Sequence, residues 1–344
     1  MIAFRDHSGG WHKCRRDLAC PSSGLRRWHW AAVVVPTSTS ASAAAVATTT
    51  VLAQPGGYIT TYTAANGDVT KVFAATPMTI IPDAPTSAKI TASGVSATQH
   101  SGGVSMVPTT ALNKAQLSAQ LAAIQPMSAY DELLALGADP ADIAGFQDVG
   151  TTYSATETAK KKSGTASPYS NTGGGTQVSN PPACVDQSFD GGHGHVYGCD
   201  VTRRVATSGS IWYLTDAIES SGSMHDTGCT FCDHITGLKF GNKYGSGNVI
   251  QDWNPSSTAS IGSCHQTTFS LAYKGVGVSD TATNCPETYG LYSINSTSYS
   301  TKCDGKGNGP SDGSRSTNAV DGVYNCGSCS YLPTVSATWW YTTS

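Results

Sequence analysis

The distribution of cysteines limits what this chain can fold into more than any other feature. Eleven cysteines occur among 344 residues, and nine of them lie between Cys184 and Cys329. In an exported protein, such a density is typical of a disulfide framework that holds together a domain with many turns. Eight cysteines already allow roughly a hundred pairings, so the sequence does not predict the pairs. The odd number leaves one thiol unpaired, bonded between chains, or bonded to Cys14 or Cys20.

Two Cys-x-x-Cys motifs lie within this framework, at Cys229–Cys232 and at Cys326–Cys329. With His225 and His234 flanking the first motif, they have the residue types of a structural zinc site. More than ninety residues separate the two motifs, which is longer than the spacing in a zinc ribbon. Export also favours oxidised sulfur, so the sequence favours disulfides at tight turns over a metal site. A redox-active motif is disfavoured because no βαβ pattern surrounds it.

Residues 183–344 have the pattern of an all-β domain. Only 12 % of the chain is charged, against about 25 % in a typical soluble domain. Short runs rich in β-branched and aromatic residues alternate with turn residues, which predicts strands at His195–Tyr197, Val201–Val205, Ser210–Leu214, Asn248–Trp253, Thr267–Tyr273, Tyr289–Ile294 and Thr334–Tyr341. We therefore expect a mainly β protein whose C-terminal domain is a disulfide-stapled, jelly-roll-like β-sandwich.

Residues 1–53 resemble an export signal of bacterial type. They carry a net charge of +4, with paired arginines at Arg15-Arg16 and Arg26-Arg27, followed by apolar and small residues. The sequence Val51-Leu52-Ala53 predicts cleavage before Gln54 and hence secretion. No window reaches the roughly 18–20 apolar residues that span a bilayer, so we expect no stable membrane anchor. Residues 54–344 carry a net charge of −7, which offers no electrostatic footprint for nucleic acid.

Residues 54–150 predict a small α+β or partly disordered segment. Tyr58 to Phe73 alternates around Asn66-Gly67, the pair that a tight hairpin turn favours, and Pro77, Pro82 and Pro85 then break the pattern. Helices are predicted at 111–125 and again after Ser128, ending near Gly137. We expect this segment to be marginal alone or to dock on another surface. Residues 151–182 are nearly free of apolar side chains and predict a flexible linker.

Histidines and aromatic residues supply the candidate sites. His193 and His195, with Asp186 or Asp190 near, and also His225 and His234, are the predicted metal ligands, although the glycine-rich loop equally suits solvated side chains. Gly309–Gly313 has the spelling of a hydrolase nucleophile elbow, but its loop context favours a chance match. No catalytic residue and no cofactor is predicted. The ligand-binding candidates are Trp253, Trp339 and Tyr341, since exposed aromatic rings stack on sugars and alternation places Trp340 on the face opposite to Trp339 and Tyr341.

Three functions follow from these observations. The first is a secreted binding protein whose partner is an extracellular glycan or protein surface. The second is a secreted hydrolase of an extracellular polymer, which would use His193, His195 or His225 with nearby aspartates. The third is a coat or fibre subunit that self-associates through the spare cysteine or through an exposed Trp339–Tyr341 edge.

Overall fold

The computed structural model describes the chain from residue 46 to residue 343 with several gaps. The described residues are 46–92, 95–109, 127–149, 153–154, 176–177, 183–224, 234–260, 265–273, 276–284, 288–304, 315–327, 329 and 332–343. The predicted helix at 111–125, the Cys229–Cys232 motif with His225, and Gly309–Gly313 lie outside these ranges. So do nearly all of the predicted leader and all but four residues of the predicted linker.

Most of the described chain is β-strand, as predicted. In chain order the strands are β1 (Thr48–Gln54), β2 (Gly57–Thr63), β3 (Val69–Ala74), β4 (Met78–Pro82), β5 (Thr86–Ala92), β6 (Val95–Pro108), β7 (Tyr153–Ser154), β8 (Thr176–Gln177), β9 (Ala183–Phe189), β10 (Gly194–Ser208), β11 (Ile211–Met224), β12 (His234–Lys243), β13 (Asn248–Asn254), β14 (Thr258–Ser260), β15 (His265–Tyr273), β16 (Val276–Asn284), β17 (Thr288–Ile294), β18 (Ser298–Asp304), β19 (Arg315–Asn325) and β20 (Thr334–Thr343). The described helices are α1 (Ala129–Leu136) and two 3-10 turns, Ala144–Asp148 and Asp190–Gly192.

The strands form three antiparallel sheets. The first has the order β1-β2-β3-β9-β10-β11-β19-β13, with β8 beside β10. The second has the order β14-β17-β18-β12-β20-β6-β4, with β5 beside β6, and the third is β15-β16-β7. The mainly β, sandwich-like fold that the sequence predicted is therefore confirmed.

The first two sheets pack face to face over an apolar core. Phe189 of β9 stacks on Trp339 of β20, with ring centroids 5.6 Å apart. A Cβ on Gly198 of β10 would lie 2.2 Å from the Phe240 ring of β12, so glycine lets that ring lie directly on the neighbouring sheet. Close packing of this kind fixes how the two sheets sit on each other.

The opposite face of the first sheet is covered by α1 and by the third sheet. The sequence signals for α1 are confirmed: the Ser128 side chain accepts a hydrogen bond from the Asp131 backbone N–H, and Gly137 ends the helix at φ 93°. Asn318 of β19 donates a hydrogen bond to the Asp280 carbonyl of β16, at 3.1 Å. The first sheet is therefore the middle layer of the molecule.

Residues 54–150 contribute strands to both large sheets. The hairpin predicted around Asn66-Gly67 is confirmed, since β2 pairs with β3 and Gly67 has φ 93°. Beyond it, β3 pairs with β9 and β6 pairs with β20, so this segment shares one apolar core with residues 183–344. Sequence reasoning missed β4, β5 and β6, because the prolines taken to break the pattern flank these strands or end them.

The N-terminal edge of the first sheet overlaps the predicted leader. Residues 48–53 lie in β1, pair with β2 and are all exposed. Val51 and Leu52 keep 52 % and 58 % of their accessible surface. β1 contributes backbone hydrogen bonds but no buried side chain, so cleavage before Gln54 would remove this strand without opening the core.

Two described disulfides staple the fold. Cys184 and Cys199 bond β9 to β10 at directly opposite positions, and both are fully buried beneath α1. Cys326 and Cys329 bond within one turn, which is what the sequence favoured for this motif. Bridges of this kind indicate an oxidising compartment. Across the described parts of the chain, no helix has the length and apolar character required to cross a bilayer.

A cluster of carboxyl groups lies inside the sandwich. Asp200, Asp216 and Asp321 stand on three adjacent strands of the first sheet, and each is at most 1 % exposed. The Asn242 amide nitrogen of the second sheet lies 3.4 Å from an oxygen of Asp216 and 3.4 Å from an oxygen of Asp321. One oxygen of each carboxyl has no hydrogen-bond partner within the described structure.

Burial changes the protonation of these groups. Desolvation raises the pKa of Asp200 to about 7 and that of Asp321 to about 8. Desolvation and the neighbouring carboxyls Asp200 and Asp321 raise the pKa of Asp216 well above its ordinary value. Three ionised carboxylates in an apolar core would repel one another. Below the raised pKa values, these carboxyl groups are therefore protonated in the folded protein.

Candidate functional site

The outward face of the second sheet brings together aromatic and charged side chains. On β12, Leu238 and Phe240 are buried in the core, so Gly237 and Lys239 face outward. Lys239 stands directly opposite Lys302 of β18, and Gly237 stands between Asp304 of β18 and Trp340 of β20. Tyr292, at an irregularity of β17, completes the group and is 53 % exposed. We call this group of residues the Trp340 face: Lys239, Tyr292, Lys302, Asp304 and Trp340.

Lys302 lies at the centre of the Trp340 face. Its ammonium group lies 4.9 Å from the centroid of the Trp340 ring and 5.7 Å from that of Tyr292. It also forms an ion pair with Asp304, with Nζ and Oδ2 2.6 Å apart. Because the two rings flank one ammonium group, a ligand that touches both rings must pass over Lys302.

Gly237 lets the Trp340 ring lie close to the sheet. A Cβ at this position would lie 3.1 Å from Cε3 of Trp340 and 2.9 Å from an oxygen of Asp304. Any other residue would therefore push the ring or the carboxylate outward. The next positions along the same face are small or hydroxyl-bearing, with Gly241 of β12 between Ser300 of β18 and Ser336 of β20. This part of the outer face is therefore polar, with aromatic rings at one end.

The aromatic residues predicted to bind ligand occupy other positions. Trp339 faces the core at 5 % exposure, and its indole lies across Gly102 of β6, so a ligand could stack on it only if the sheets separated. Tyr341 packs on Phe189 and stacks on His100, with centroids 4.9 Å and 4.8 Å apart. Trp253 lies on β13, an edge strand of the other large sheet. The assignment of these three residues as ligand contacts stays a prediction.

The Trp339–Tyr341 segment is not an edge. β20 lies between β12 and β6 and is hydrogen-bonded to both, so its backbone cannot pair with another chain. The exposed edge that the sequence suggested at this strand is therefore absent, whereas self-association of the protein stays a prediction. Alternation along β20 was correct: it put Trp340 on the face opposite to Trp339, and that opposite face is the outer one.

The predicted histidines separate into two groups. His195 of β10 places Nδ1 2.9 Å from Oδ1 of Asp186 on β9, and its ring stacks on Tyr197. His193 is 70 % exposed and lies 3.7 Å from Asp190. His234, on the second sheet, contacts the Thr342 hydroxyl.

The metal assignment stays a prediction. Within the described residues, no three His, Cys, Asp or Glu side chains form a group that could hold a metal ion. His225, the fourth predicted ligand, lies outside those residues.

The His195–Asp186 pair has the geometry of an oriented base. Asp186 is 6 % exposed and fixes one ring nitrogen, whereas the His195 side chain keeps 29 % of its surface. Burial and the carboxyls of Asp186 and Asp142 raise the pKa of the neighbouring Tyr197, so this phenol stays protonated. The pair could accept a proton from water or from a bound hydroxyl group at Nε2.

Comparison with known proteins adds no family to this description. No protein-family model matches the chain, and a search of curated proteins finds no significant relative. Sequence reasoning missed Lys239, Lys302 and Tyr292 because only the register of β12, β17 and β18 places them on one face.

Proposed function

We propose that this chain is a secreted binding protein that attaches to an extracellular glycan through the Trp340 face. The observation that carries the proposal is the grouping of two aromatic rings, two lysines and one carboxylate on the outer face of the second sheet. Sugar rings present apolar C–H faces and hydroxyl rims, which suit aromatic rings flanked by charged and hydroxyl side chains. The two disulfides and the predicted export signal support an extracellular location.

The position of the surface supports this proposal further. β12 and β20 are central strands of the second sheet, so the site rests on a rigid element rather than on a loop. The inner side of the same strands is the fully buried core, including Leu238, Phe240 and Ala337. Binding therefore needs little ordering of the backbone, which lowers the entropic cost of holding a polymer.

Substitution of Trp340 tests the proposed function. The full chain is run through gels that contain a panel of neutral and acidic polysaccharides, and its retardation gives the affinity for each. We expect Trp340→Ala to weaken binding at least tenfold, about 1.4 kcal/mol, because the ring contact is lost while the core side of β20 is unchanged. Tyr292→Ala is expected to act in the same direction.

Trp253→Ala distinguishes the Trp340 face from the other candidate surface, since Trp253 is a predicted ligand contact on the other large sheet. It should leave retardation within twofold of the unsubstituted chain. A full chain that no polysaccharide retards would end the proposal, and so would a larger effect of Trp253→Ala than of Trp340→Ala. Melting curves of each variant verify that folding is retained.

A hydrolase is the second candidate function, and the His195–Asp186 pair favours it. If the protein cleaves a polymer, His195→Ala should reduce the rate at least a hundredfold, as expected for loss of a general base. His193→Ala should have little effect because that side chain is largely exposed. A screen with esterase, glycosidase and protease substrates provides the measurement. Absence of activity in the unsubstituted chain, or equal rates in both variants, would contradict this alternative.

A further inference from the structure

The Trp340 face carries two lysines that repel each other. Lys239 and Lys302 are directly opposite on neighbouring strands, and both ammonium groups lie near the Tyr292 ring, 5.1 Å and 5.7 Å from its centroid. Like charges at directly opposite positions destabilise a sheet. Both lysine side chains point outward, so packing of the core does not require either charge.

Among the described residues, only one of the two charges has an acidic partner. Asp304 forms an ion pair with Lys302 at 2.6 Å. Lys239 forms no ion pair with any described residue, and its ammonium group lies over the Tyr292 ring. The remaining charge of the face is therefore positive, although residues 54–344 as a whole are acidic. A local excess of positive charge on an acidic protein favours an anionic ligand at this position.

The two aromatic rings favour a sugar polymer over a small anion. A free carboxylate or phosphate could reach the lysines without touching either ring, so the rings would add nothing to its binding. A chain of sugars that contacts both Trp340 and Tyr292 must pass over Lys302. The Lys239 ammonium group lies 5.1 Å from the Tyr292 ring, so it is within reach of an acidic group on a sugar bound at that ring. The surrounding Ser300 and Ser336, on either side of Gly241, offer hydroxyl groups to a polymer that continues along the sheet.

We propose that the Trp340 face is selective for acidic polysaccharides, with a sugar carboxylate bound by the Lys239 ammonium group and the sugar rings in contact with Trp340 and Tyr292. This inference rests on the proposed glycan-binding function and adds the chemical class of the glycan. Lys239 is then the residue that determines charge specificity, and Trp340 is the residue that provides affinity for any sugar chain. The ionic part of the binding is screened by salt, whereas the ring contacts are not.

A pair of polymers with the same backbone tests this division of roles. The full chain is titrated with polygalacturonate and with its methyl ester, which lacks the negative charge. We expect at least tenfold tighter binding to the acid form at low salt, and loss of that preference in Lys239→Gln. Lys89→Gln is the matched control, because Lys89 is exposed on β5, which lies beyond β6 from β20 and outside the Trp340 face. It should keep the preference.

The outcomes separate the two proposals. Binding of both polymers with equal strength, abolished by Trp340→Ala and unchanged by Lys239→Gln, would leave the glycan function standing and overturn the charge selectivity. Equal binding to polygalacturonate and to a polyphosphate chain would show nonspecific attraction to polyanions and would also overturn it. Failure to bind any sugar polymer would refute the proposed function itself. The inference is supported if the protein prefers polygalacturonate to its methyl ester, and if this preference requires Lys239 and weakens with added salt.

Discussion

The protein should resist unfolding better at pH 5 than at pH 8, by on the order of 3 kcal/mol. The cause is the buried cluster of Asp200, Asp216 and Asp321. Burial raises the pKa of all three, to about 7 for Asp200 and to about 8 for Asp321. In the unfolded chain, the same groups release their protons near pH 4.

The direction follows from proton binding. Between about pH 4 and the raised pKa values, the folded protein holds protons that the unfolded chain has released, so the free energy of unfolding falls as pH rises. The contribution of the cluster is complete below about pH 4 and is lost as pH rises through 7 and 8. For Asp200 alone, the folded protein retains the proton over about two pH units, from pH 5 to the pKa of about 7, and about 1.4 kcal/mol per unit then gives about 3 kcal/mol. Asp216 and Asp321 add to this value in the same direction. Glu132 of α1, also fully buried with a raised pKa, acts in the same direction.

Denaturant unfolding at pH 5 and pH 8 measures this effect. Asp321→Asn keeps the shape of the side chain and removes its charge, so the variant should gain stability over the unsubstituted protein at pH 8 and differ little from it at pH 5. Asp252→Asn, at an exposed position on β13, is the matched control and should change neither value. Stability that rises from pH 5 to pH 8 would contradict the assigned protonation of the cluster.

Loss of the Cys184–Cys199 bridge should be the second large effect. Replacing both cysteines with alanine is expected to lower the free energy of unfolding by about 3 kcal/mol, the value for a bridge that closes a loop of about fifteen residues. Both side chains are fully buried between the first sheet and α1, so some loss of packing adds to this figure. The bridge joins directly opposite positions of β9 and β10, so its loss should destabilise the core of the protein.

The Cys326–Cys329 bridge provides the comparison within the same molecule. Its sequence separation is three residues, so the corresponding double alanine variant should lose less, about 2 kcal/mol. Urea unfolding of both variants under oxidising conditions gives the two values. A larger loss from the short bridge than from Cys184–Cys199 would show that loop closure does not control the contribution of these disulfides.

Local signals in the sequence predicted local structure well. The Asn66-Gly67 turn and the helix from Ser128 to Gly137 depend on neighbouring residues only, and both are confirmed. Alternation in 334–341 also predicted that Trp340 and Trp339 lie on opposite faces of the sheet. The pairing of β3 with β9 joins residues more than a hundred positions apart, and no turn chemistry specifies such a partner.

The site was harder to predict because it depends on register between distant strands. Lys239 meets Lys302, and Asp216 meets Asp321, only after β12, β18, β11 and β19 find their neighbours. The aspartates in particular look like surface residues in the sequence, since carboxyl groups are seldom buried. Large aromatic residues suit sugars, so the sequence predicts Trp339 as a ligand contact, although alternation along β20 fits a place in the core equally well.

Oxidative footprinting of the full chain tests most directly whether the Trp340 face is the binding surface. Hydroxyl radicals modify exposed aromatic side chains, and each modified peptide is quantified by mass spectrometry with and without polygalacturonate. We predict that the polymer protects Trp340 and Tyr292 and leaves Trp253 and the Tyr213–Tyr324 pair of the first sheet unchanged. Protection of Trp253, or of the residues around His195, with Trp340 and Tyr292 still modified, would contradict the account.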